Sequence, residues 1–396
     1  MPKPTSVADV TPVRVVIITM DSHIVGAVDR ARQRLQKELP GLILSFHAAA
    51  DWSDPQALAA CKEDIANGDI IFANMLFMED HVQAVLPDLQ ARREACDAMI
   101  ACISSGEIIK LTRVGRFDMS APQKGLLALL KRLRGSKKNS SSSSAGANQM
   151  AMLRRLPKIL RFIPGTAQDV RAYFLTMQYW LAGSEENIVN MVRYLVARYA
   201  TGDRASLRGK LDAKSPVEYP DTGLYHPRID GRIATELSQL PEPPAETKGT
   251  VGLLVMRSYV LSGDTDHYDA VIAALESRGL RVIAAFASGL DARPAIDAFF
   301  AKHGRRQIDA LLSLTGFSLV GGPAFNDAKA AEDCLAELDV PYVSAQAIEF
   351  QTLDQWEDSG RGLLPVESTI MVAIPELDGA TGPMVFGGRR SSADPV

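Results

Sequence analysis

The feature that most constrains this chain is an alternation of short β-branched apolar runs with helical segments, which occurs twice in 396 residues. In the first half, four runs of this kind predict strands: Val13–Met20, Leu42–Phe46, Asp69–Met75 and Met99–Ile103. Apolar residues then recur at helical spacing in Ile24–Leu39 and Glu79–Ala98. Strands that are apolar throughout are typical of a sheet buried on both faces. The order therefore predicts a parallel sheet covered by helices.

A second alternation begins at Thr250–Met256. Its later strands are predicted at Arg281–Phe286, Ile308–Leu314 and Pro341–Ser344, and its helices at His267–Arg278, Ala295–His303 and Asp327–Leu338. The predicted fold class is α/β, with two open parallel-sheet α/β units joined by a helical and loop-rich region. In such units, binding sites lie at the loops that follow strand ends.

This pattern predicts four parts: an α/β head domain at 1–134, a flexible Ser-rich loop at 135–149, a helical segment and linker at 150–248, and a second α/β unit at 249–396. Within the third part, Asp169–Tyr199 is predicted to be helical. Lys124–Arg134 and Met150–Ile163 are basic and amphipathic. Helices packed on the core are the favoured interpretation, and a reversible contact with a membrane surface is the alternative.

Composition and missing motifs exclude several functions. A net charge of −4 gives no reason to expect a nucleic-acid partner. The first residues lack the apolar core of a signal peptide, and no run reaches the length of a membrane span, so the chain is expected to be cytoplasmic. GxxxxGK[ST], GxGxxG after a strand, and HExxH are all missing. The six histidines do not cluster at metal-ligand spacing, so no metal site is predicted.

The strongest local candidate for a site follows the first strand of the second unit, in the segment RSYVLSGDTDHY. Five residues of it are predicted to bind substrate: Arg257, Ser262, Asp266, His267 and Tyr268. An Arg side chain can pair with a carboxylate, and a His side chain can meet a metal ion or a ring nitrogen. The alternative is that an acidic or hydroxyl side chain at 264–266 caps the following helix.

Three residues are secondary candidates. Asp21 and His23 follow the first strand, where helix capping is an equally good explanation. Ser318, with Gly321 and Gly322, forms either an anion-binding turn or a tight structural loop, and the structural loop is favoured. Further upstream, Ser104–Glu107 has the spacing of a capping box.

Four motifs carry a resemblance to a known family: VVIITMDSHIVGAVDRA, LYHP, RSYVLSGDTDHYDA and TGFSLVGGPAFNDAKAA. With them, the chain resembles the large subunits of the magnesium and cobalt chelatases of tetrapyrrole synthesis, from about Val13 to Gly388, and its head region favours the magnesium (H-type) branch. The resemblance implies binding of protoporphyrin IX and insertion of Mg²⁺, both as substrates, in bacteriochlorophyll or chlorophyll synthesis. It further implies AAA+ motor subunits as partners that hydrolyse ATP, which agrees with the missing P-loop.

The resemblance also bears on length. Members of this family continue well beyond Gly388, and the chain is expected to correspond to the N-terminal portion of the large subunit. Catalytic residues for metal insertion are therefore expected outside it, and none is assigned. Two alternatives remain open: a non-catalytic module that binds a tetrapyrrole or a partner protein, and a cobaltochelatase-like subunit.

Overall fold

The computed structural model describes residues 11–121, 155–243, 246–301, 305–322 and 325–390. The chain divides into two compact units, Met1–Glu218 and Tyr219–Val396. The Ser-rich loop predicted at 135–149 and the basic segment Lys124–Arg134 lie outside the described residues, as does 150–154. The finer division into four parts stays a prediction.

The first unit is built on a six-stranded sheet. Its strands are β1 Val13–Thr19, β2 Leu42–Ala48, β3 Ile70–Asn74, β4 Ala98–Cys102, β5 Arg113–Val114 and β6 Phe117–Asp118. They lie in the order β2-β1-β3-β4-β5-β6. The first four are parallel, whereas β5 and β6 extend the edge in antiparallel pairing. Because β2 and β3 flank β1, the strand order reverses between β1 and β3, where α/β folds place ligands.

Helices cover both faces of this sheet. They are α1 Val25–Gln36, α2 Pro55–Asn67, α3 Glu79–Arg92, α4 Gly106–Lys110, α5 Thr166–Leu181 and α6 Glu185–Tyr199, with short 3₁₀ turns at Ser22–Ile24, Ala49–Ser53 and Gly202–Leu207 and a further helical segment at 155–160. One apolar core joins the sheet to α1, α5 and α6, and the other joins it to α2 and α3.

Two local predictions in this unit are wrong. The helix predicted as one segment over Asp169–Tyr199 is interrupted at Gly183, and Ser184 caps the second helix by accepting from the Asn187 amide at 3.4 Å. The cap of α4 is Ser105 rather than Ser104, since the Ser104 hydroxyl instead accepts from the Leu76 amide at 3.1 Å. Ser105 accepts from the amide of Ile108 at 3.4 Å, and because residue 108 is not Glu or Gln, the predicted capping box does not form.

The second unit has a seven-stranded sheet and a small two-stranded one. Its strands are β7 Thr222–Tyr225, β8 Ile233–Ala234, β9 Gly249–Leu254, β10 Leu280–Ala287, β11 Ala310–Ser313, β12 Gly321–Gly322, β13 Phe325–Asn326, β14 Tyr342–Ile348 and β15 Thr381–Gly388. The larger sheet has the order β15-β14-β11-β9-β10-β7-β8. Its first five strands are parallel, and β7 and β8 are antiparallel. The strand order reverses between β9 and β11.

Helices flank this sheet as well. They are α7 Arg257–Ser262, α8 Asp266–Glu276, α9 Arg293–Ala295, α10 Ala328–Leu338, α11 Leu353–Asp358, α12 Pro365–Glu367 and α13 Ile374–Leu377, with wider π-type turns at Ile296–Phe300 and Ser368–Ala373 and a 3₁₀ turn at Leu237–Gln239. Separate apolar cores lie on the two faces. In the described part of the chain, no helix combines the length and the apolar character that crossing a membrane requires.

The predicted class, two α/β units, is confirmed, with both sheets mixed rather than purely parallel. The parallel edge strand β15 and the β12–β13 pair were not predicted. The antiparallel edge strands β5 to β8 were not predicted either, and β7 and β8 arise from sequence that had been assigned to a loop-rich linker. These strands have two to four residues. Segments this short carry too little periodicity to be recognised without their pairing partners.

Candidate functional site

A shallow cleft lies at the carboxyl edge of the second sheet, where the strand order reverses between β9 and β11. It is lined by residues from three segments, 254–256, 286–292 and 315–321, which follow β9, β10 and β11. The cleft opens to solvent, and its volume of about 370 Å³ includes part of that open space. This is the position at which open α/β sheets bind ligands, so the cleft is the best candidate site in the second unit.

The lining of the cleft is mostly apolar, with few polar groups. Asp291 is held by Arg293, whose Nη2 atom lies 2.7 Å from its Oδ2 atom. That hydrogen bond raises the pKa of Arg293. Among the described residues, no three His, Cys, Asp or Glu side chains converge as a metal site would require. The cleft lining that the structure describes is therefore suited to holding an apolar surface, and its charged side chain, Asp291, is paired with Arg293.

Of the residues predicted from sequence, Ser318 lines the cleft. Its hydroxyl donates to the Oδ2 atom of Asp378 at 2.8 Å, and the backbone amide of Leu319 donates to the same atom at 2.6 Å. The donors of this turn thus bind a carboxylate of the chain itself. The sequence analysis did not single out Asp378, because it lies 60 residues from Ser318 and belongs to no motif.

Three of the predicted residues around α7 and α8 do not line the cleft. Arg257 donates to the backbone carbonyls of Pro220 at 2.9 Å and Tyr219 at 3.2 Å. The buried Ser262 donates to the carbonyl of Tyr259 at 3.1 Å. Asp266 is exposed on the first turn of α8. Arg257 and Ser262 therefore fix local backbone, and Asp266 faces solvent.

His267 and Tyr268 are buried in an aromatic cluster on one face of the sheet. Their ring centroids are 3.8 Å apart, and the His267 ring stacks on Phe386 at 6.1 Å. The Tyr268 hydroxyl accepts from the backbone amide of Met256, a cleft residue, at 3.2 Å. Burial raises the pKa of Tyr268. Tyr268 thus supports the β9–α7 loop, and His267 packs against Tyr268.

The LYHP motif has a structural position that sequence reasoning did not assign. The Tyr225 hydroxyl donates to Asp269, and the Nε2 atom of His226 lies 3.2 Å from Glu276. Since the Arg228 amide donates to Nδ1 of His226 at 3.2 Å, Nε2 carries the proton and donates to Glu276. The motif therefore ties strand β7 to both ends of α8.

In the first unit, Asp21 meets a residue that sequence reasoning missed. The Asn74 amide, at the end of β3, donates to Oδ2 of Asp21 at 3.0 Å across the point where strand order reverses. The Asp21 side chain makes no capping bond, so helix capping does not explain it, and His23 lies in the following 3₁₀ turn. Met75 and Ile103, which follow β3 and β4, both have positive φ angles, of 57° and 46°. For a β-branched residue this conformation is strained, and strain of this kind gathers at functional loops.

Comparison with known proteins also divides the chain in two, but at residues 174–177 rather than at the boundary between the compact units at 218–219. Residues 14–174 match a family described as a domain of unknown function, DUF3479, and residues 177–395 match the family described as CobN/Magnesium Chelatase. The latter match covers more than half of the chain. The chain is 55% identical over 377 residues to the magnesium-chelatase H subunit of Cereibacter sphaeroides, covering 95% of this chain and 31% of that protein.

More distant relatives show the same pattern. Magnesium-chelatase subunit ChlH of rice (Oryza sativa subsp. japonica) is 31% identical, covering 95% of this chain and 28% of that protein. Aerobic cobaltochelatase subunit CobN of Sinorhizobium sp. is 27% identical, covering 51% of this chain and 15% of that protein. A solved structure, the catalytic subunit of cobaltochelatase from Mycobacterium tuberculosis, has a TM-score of 0.43 at 16% identity and covers 93% of this chain and 24% of that chain. The chain spans about a third of the length of the first two relatives. It belongs to the CobN/magnesium chelatase family.

Proposed function

We propose that this chain forms part of the large subunit of a magnesium chelatase and takes part in inserting Mg²⁺ into protoporphyrin IX for bacteriochlorophyll or chlorophyll synthesis. The observation that carries the proposal is the 55% identity to a magnesium-chelatase large subunit over 95% of the chain. The cobaltochelatase relative is 27% identical over 51% of the chain. The difference in identity and in coverage favours the magnesium branch over the cobalt branch.

In this proposal, Mg²⁺ and protoporphyrin IX are substrates, and separate AAA+ motor subunits bind this chain and hydrolyse ATP. The sequence supports that division of labour because it lacks a GxxxxGK[ST] motif. The reaction takes place in the cytoplasm, and no nucleic acid takes part. The catalytic residues for metal insertion are not assigned to this chain.

The cleft between β9 and β11 is the proposed contact for an apolar edge of the macrocycle, because its lining is mostly apolar and lies at the switch point of the sheet. Ser318 contributes from the lining itself. The five residues of α7 and α8 stay proposed substrate-region residues; of these, Tyr268 accepts from the amide of Met256 in the cleft lining, and Arg257 holds the backbone at 219–220. Asp21 and His23 mark a second, separate candidate in the first unit.

Porphyrin binding by this chain can be measured with a soluble porphyrin, followed by Soret absorbance and tryptophan quenching. Phe317, half-buried in the cleft lining, provides the test variant. Phe317→Ser should weaken binding several-fold, since it removes aromatic contact area. Phe77→Ser is the matched control, because Phe77 is 52% exposed in the first unit. Equal affinity of all three proteins would remove the cleft from the proposal, and no binding at tens of micromolar would remove porphyrin binding by this chain.

The alternative is a non-catalytic module that binds a tetrapyrrole or a partner protein, which is favoured by the lack of converging acid and base groups in the cleft. A chelation assay with purified motor subunits, ATP, Mg²⁺ and protoporphyrin separates the two. Measurable metal insertion excludes the purely non-catalytic alternative. A cobaltochelatase-like role is tested in the same assay by preference for a hydrogenobyrinic substrate over protoporphyrin.

A reversible contact with an anionic membrane surface is a further proposal, supported by charge and exposure. Residues 119–168 contain ten Lys and Arg residues and no Asp or Glu. Within the described part, Ile159 is 60% exposed and Phe162 is 83% exposed, beside exposed Lys158 and Arg161. Basic residues interleaved with exposed apolar ones are typical of interfacial binding. The fraction of protein that sediments with anionic vesicles should fall for Phe162→Ser and stay unchanged for Phe77→Ser.

A further inference from the structure

Strand β15 forms one edge of the larger sheet in the second unit. It has eight residues and pairs with β14 in parallel. Within the described ranges, no strand pairs with its other side, and it makes no backbone hydrogen bond to a segment other than β14. The opposite edge of the sheet ends in β7 and β8, which have only four and two residues. β15 is therefore the long, open edge of this sheet.

Apolar surface is exposed along this edge. Residues 381–384 are exposed, and Met384 is 52% exposed. Leu377, which ends α13 four residues before the strand, is 69% exposed. In the described part of the second unit, these are the two most exposed large apolar side chains. The open edge and the most exposed apolar side chains of the unit thus belong to one short segment.

An open strand edge presents unpaired N–H and C=O groups, so soluble proteins blunt it, often with charged side chains, or cover it. The β15 sequence, TGPMVFGG, contains no charged residue. Pro383 lacks an N–H, and two register shifts against β14 make the strand irregular, so pairing with a further strand is limited to a few residues. Apolar side chains exposed at such an edge mark a surface on which another protein packs. The edge therefore has the properties of an interface.

The length of the relatives identifies the protein surface that fits this edge. The chain corresponds to 31% of the Cereibacter sphaeroides H subunit and 28% of the rice subunit, so most of each relative lies outside the shared part. The family match extends to residue 395 and includes β15. We propose that the open edge of β15, with Leu377 and Met384, docks the remaining part of a magnesium-chelatase large subunit. This inference rests on the proposed function and adds a contact surface to it.

Hydrogen–deuterium exchange tests the proposal by comparing this chain with the whole H subunit of Cereibacter sphaeroides. Peptides that contain β15 should exchange about tenfold more slowly at the aligned positions of the whole subunit, because the docked part covers the open edge. Strand β2, an edge strand of the first unit, is the control and should exchange alike in both proteins. Equal exchange of β15 in the two proteins would overturn the proposal. Slow exchange in this chain that is lost on dilution would overturn it too, because the occupant would then be a second copy.

A lysine substitution provides a second measurement. Met384→Lys should leave the unfolding temperature of this chain unchanged, because the side chain is exposed. Lysine at the aligned position of the whole H subunit should lower its unfolding temperature and restore fast exchange of β15, since the contact would bury an unpaired charge. Lysine at the position aligned with Ile43, which is 43% exposed, is the matched control and should change neither. An unaffected whole subunit would refute docking at Met384.

Both measurements are made without porphyrin, Mg²⁺ or ATP. Failure of the docking proposal is therefore distinct from failure of the proposed function, which the chelation assay measures separately.

Discussion

The phenol oxygen of Tyr268 accepts a hydrogen bond from the backbone amide of Met256 at 3.2 Å. Tyr268 belongs to α8, whereas Met256 follows β9 and lines the cleft. The bond therefore couples the packing of a buried aromatic cluster to the wall of the candidate site. A residue selected from sequence as a ligand contact acts in the structure through the backbone that it holds.

Replacing Tyr268 with Phe tests this coupling. The ring stays, but the Met256 amide loses its acceptor, which should lower the free energy of unfolding by about 1–3 kcal/mol. Urea denaturation measures the change, and porphyrin titration should show weaker binding of the same variant. Tyr219→Phe is the control, since Tyr219 is only partly buried. A Tyr268→Phe protein as stable as the parent would show that the bond contributes nothing.

Arg204 compensates a buried carboxylate in the first unit. Its Nε and Nη2 atoms lie 3.0 Å and 3.1 Å from the two oxygens of Asp97, whose side chain is 2% exposed. Arg204→Ala leaves that charge unpaired and should cost about 3–5 kcal/mol in the free energy of unfolding. Arg32→Ala removes an exposed pair and should cost less than about 1 kcal/mol. Similar losses in the two variants would contradict this account.

Asp97 should also give acid sensitivity. Burial raises its pKa, but the hydrogen bonds from Arg204 and Thr201 outweigh burial, so the folded-state pKa is below the ordinary 3.8. A lowered carboxyl pKa contributes stability that is present above 3.8 and is lost as the pH falls through the lower folded-state value. Asp97→Asn should be less stable at neutral pH and show a flatter pH dependence in that acid range. Denaturant midpoints of the parent protein and Asp97→Asn, measured across that pH range, test this prediction. Parallel curves of stability against pH for the two proteins would contradict it.

His226 should make stability pH-dependent nearer neutrality. Burial lowers its pKa below 6.5, although Glu276 partly opposes this change. The folded state therefore favours neutral imidazole, so the contribution is complete above 6.5 and falls as the pH drops and the unfolded chain takes up a proton. His226→Gln should flatten stability between neutral pH and the onset of carboxyl titration. His303→Gln, which alters a histidine outside the described residues, is the comparison, and equal flattening in both variants would argue against His226 as the source.

Gly183 separates α5 from α6 where Ile24 approaches closely. A Cβ atom there would lie 2.4 Å from Cδ1 of Ile24 and 3.0 Å from the Trp180 carbonyl. Gly183→Ala should therefore lower the free energy of unfolding by about 1–3 kcal/mol through overpacking. Gly106→Ala has no atom within 4 Å of the new methyl group and should be close to neutral. A stabilised Gly183→Ala protein would show that the two helices can merge without strain.

The long buried strands were predictable because their signal is local. β1 and β3 are continuous apolar runs, and their bounds match the predicted ones to within one residue. The edge strand β8 has two residues, and nothing in Ile233–Ala234 alone indicates pairing with β7. The break at Gly183 was likewise missed, although Gly183 and the capping residue Ser184 are a local signal for the end of one helix and the start of the next.

The sequence by itself determined the order of strands and helices, the two α/β units, and the motifs that carry the family resemblance. Only the tertiary structure decided what the polar residues of those motifs bind: Ser318 meets Asp378, and Asp21 meets Asn74. These partners are 60 and 53 residues apart in the chain. Periodicity within a segment fixes which face is buried, whereas hydrogen-bond partners are set by strand order and by the loops that meet at the sheet edge.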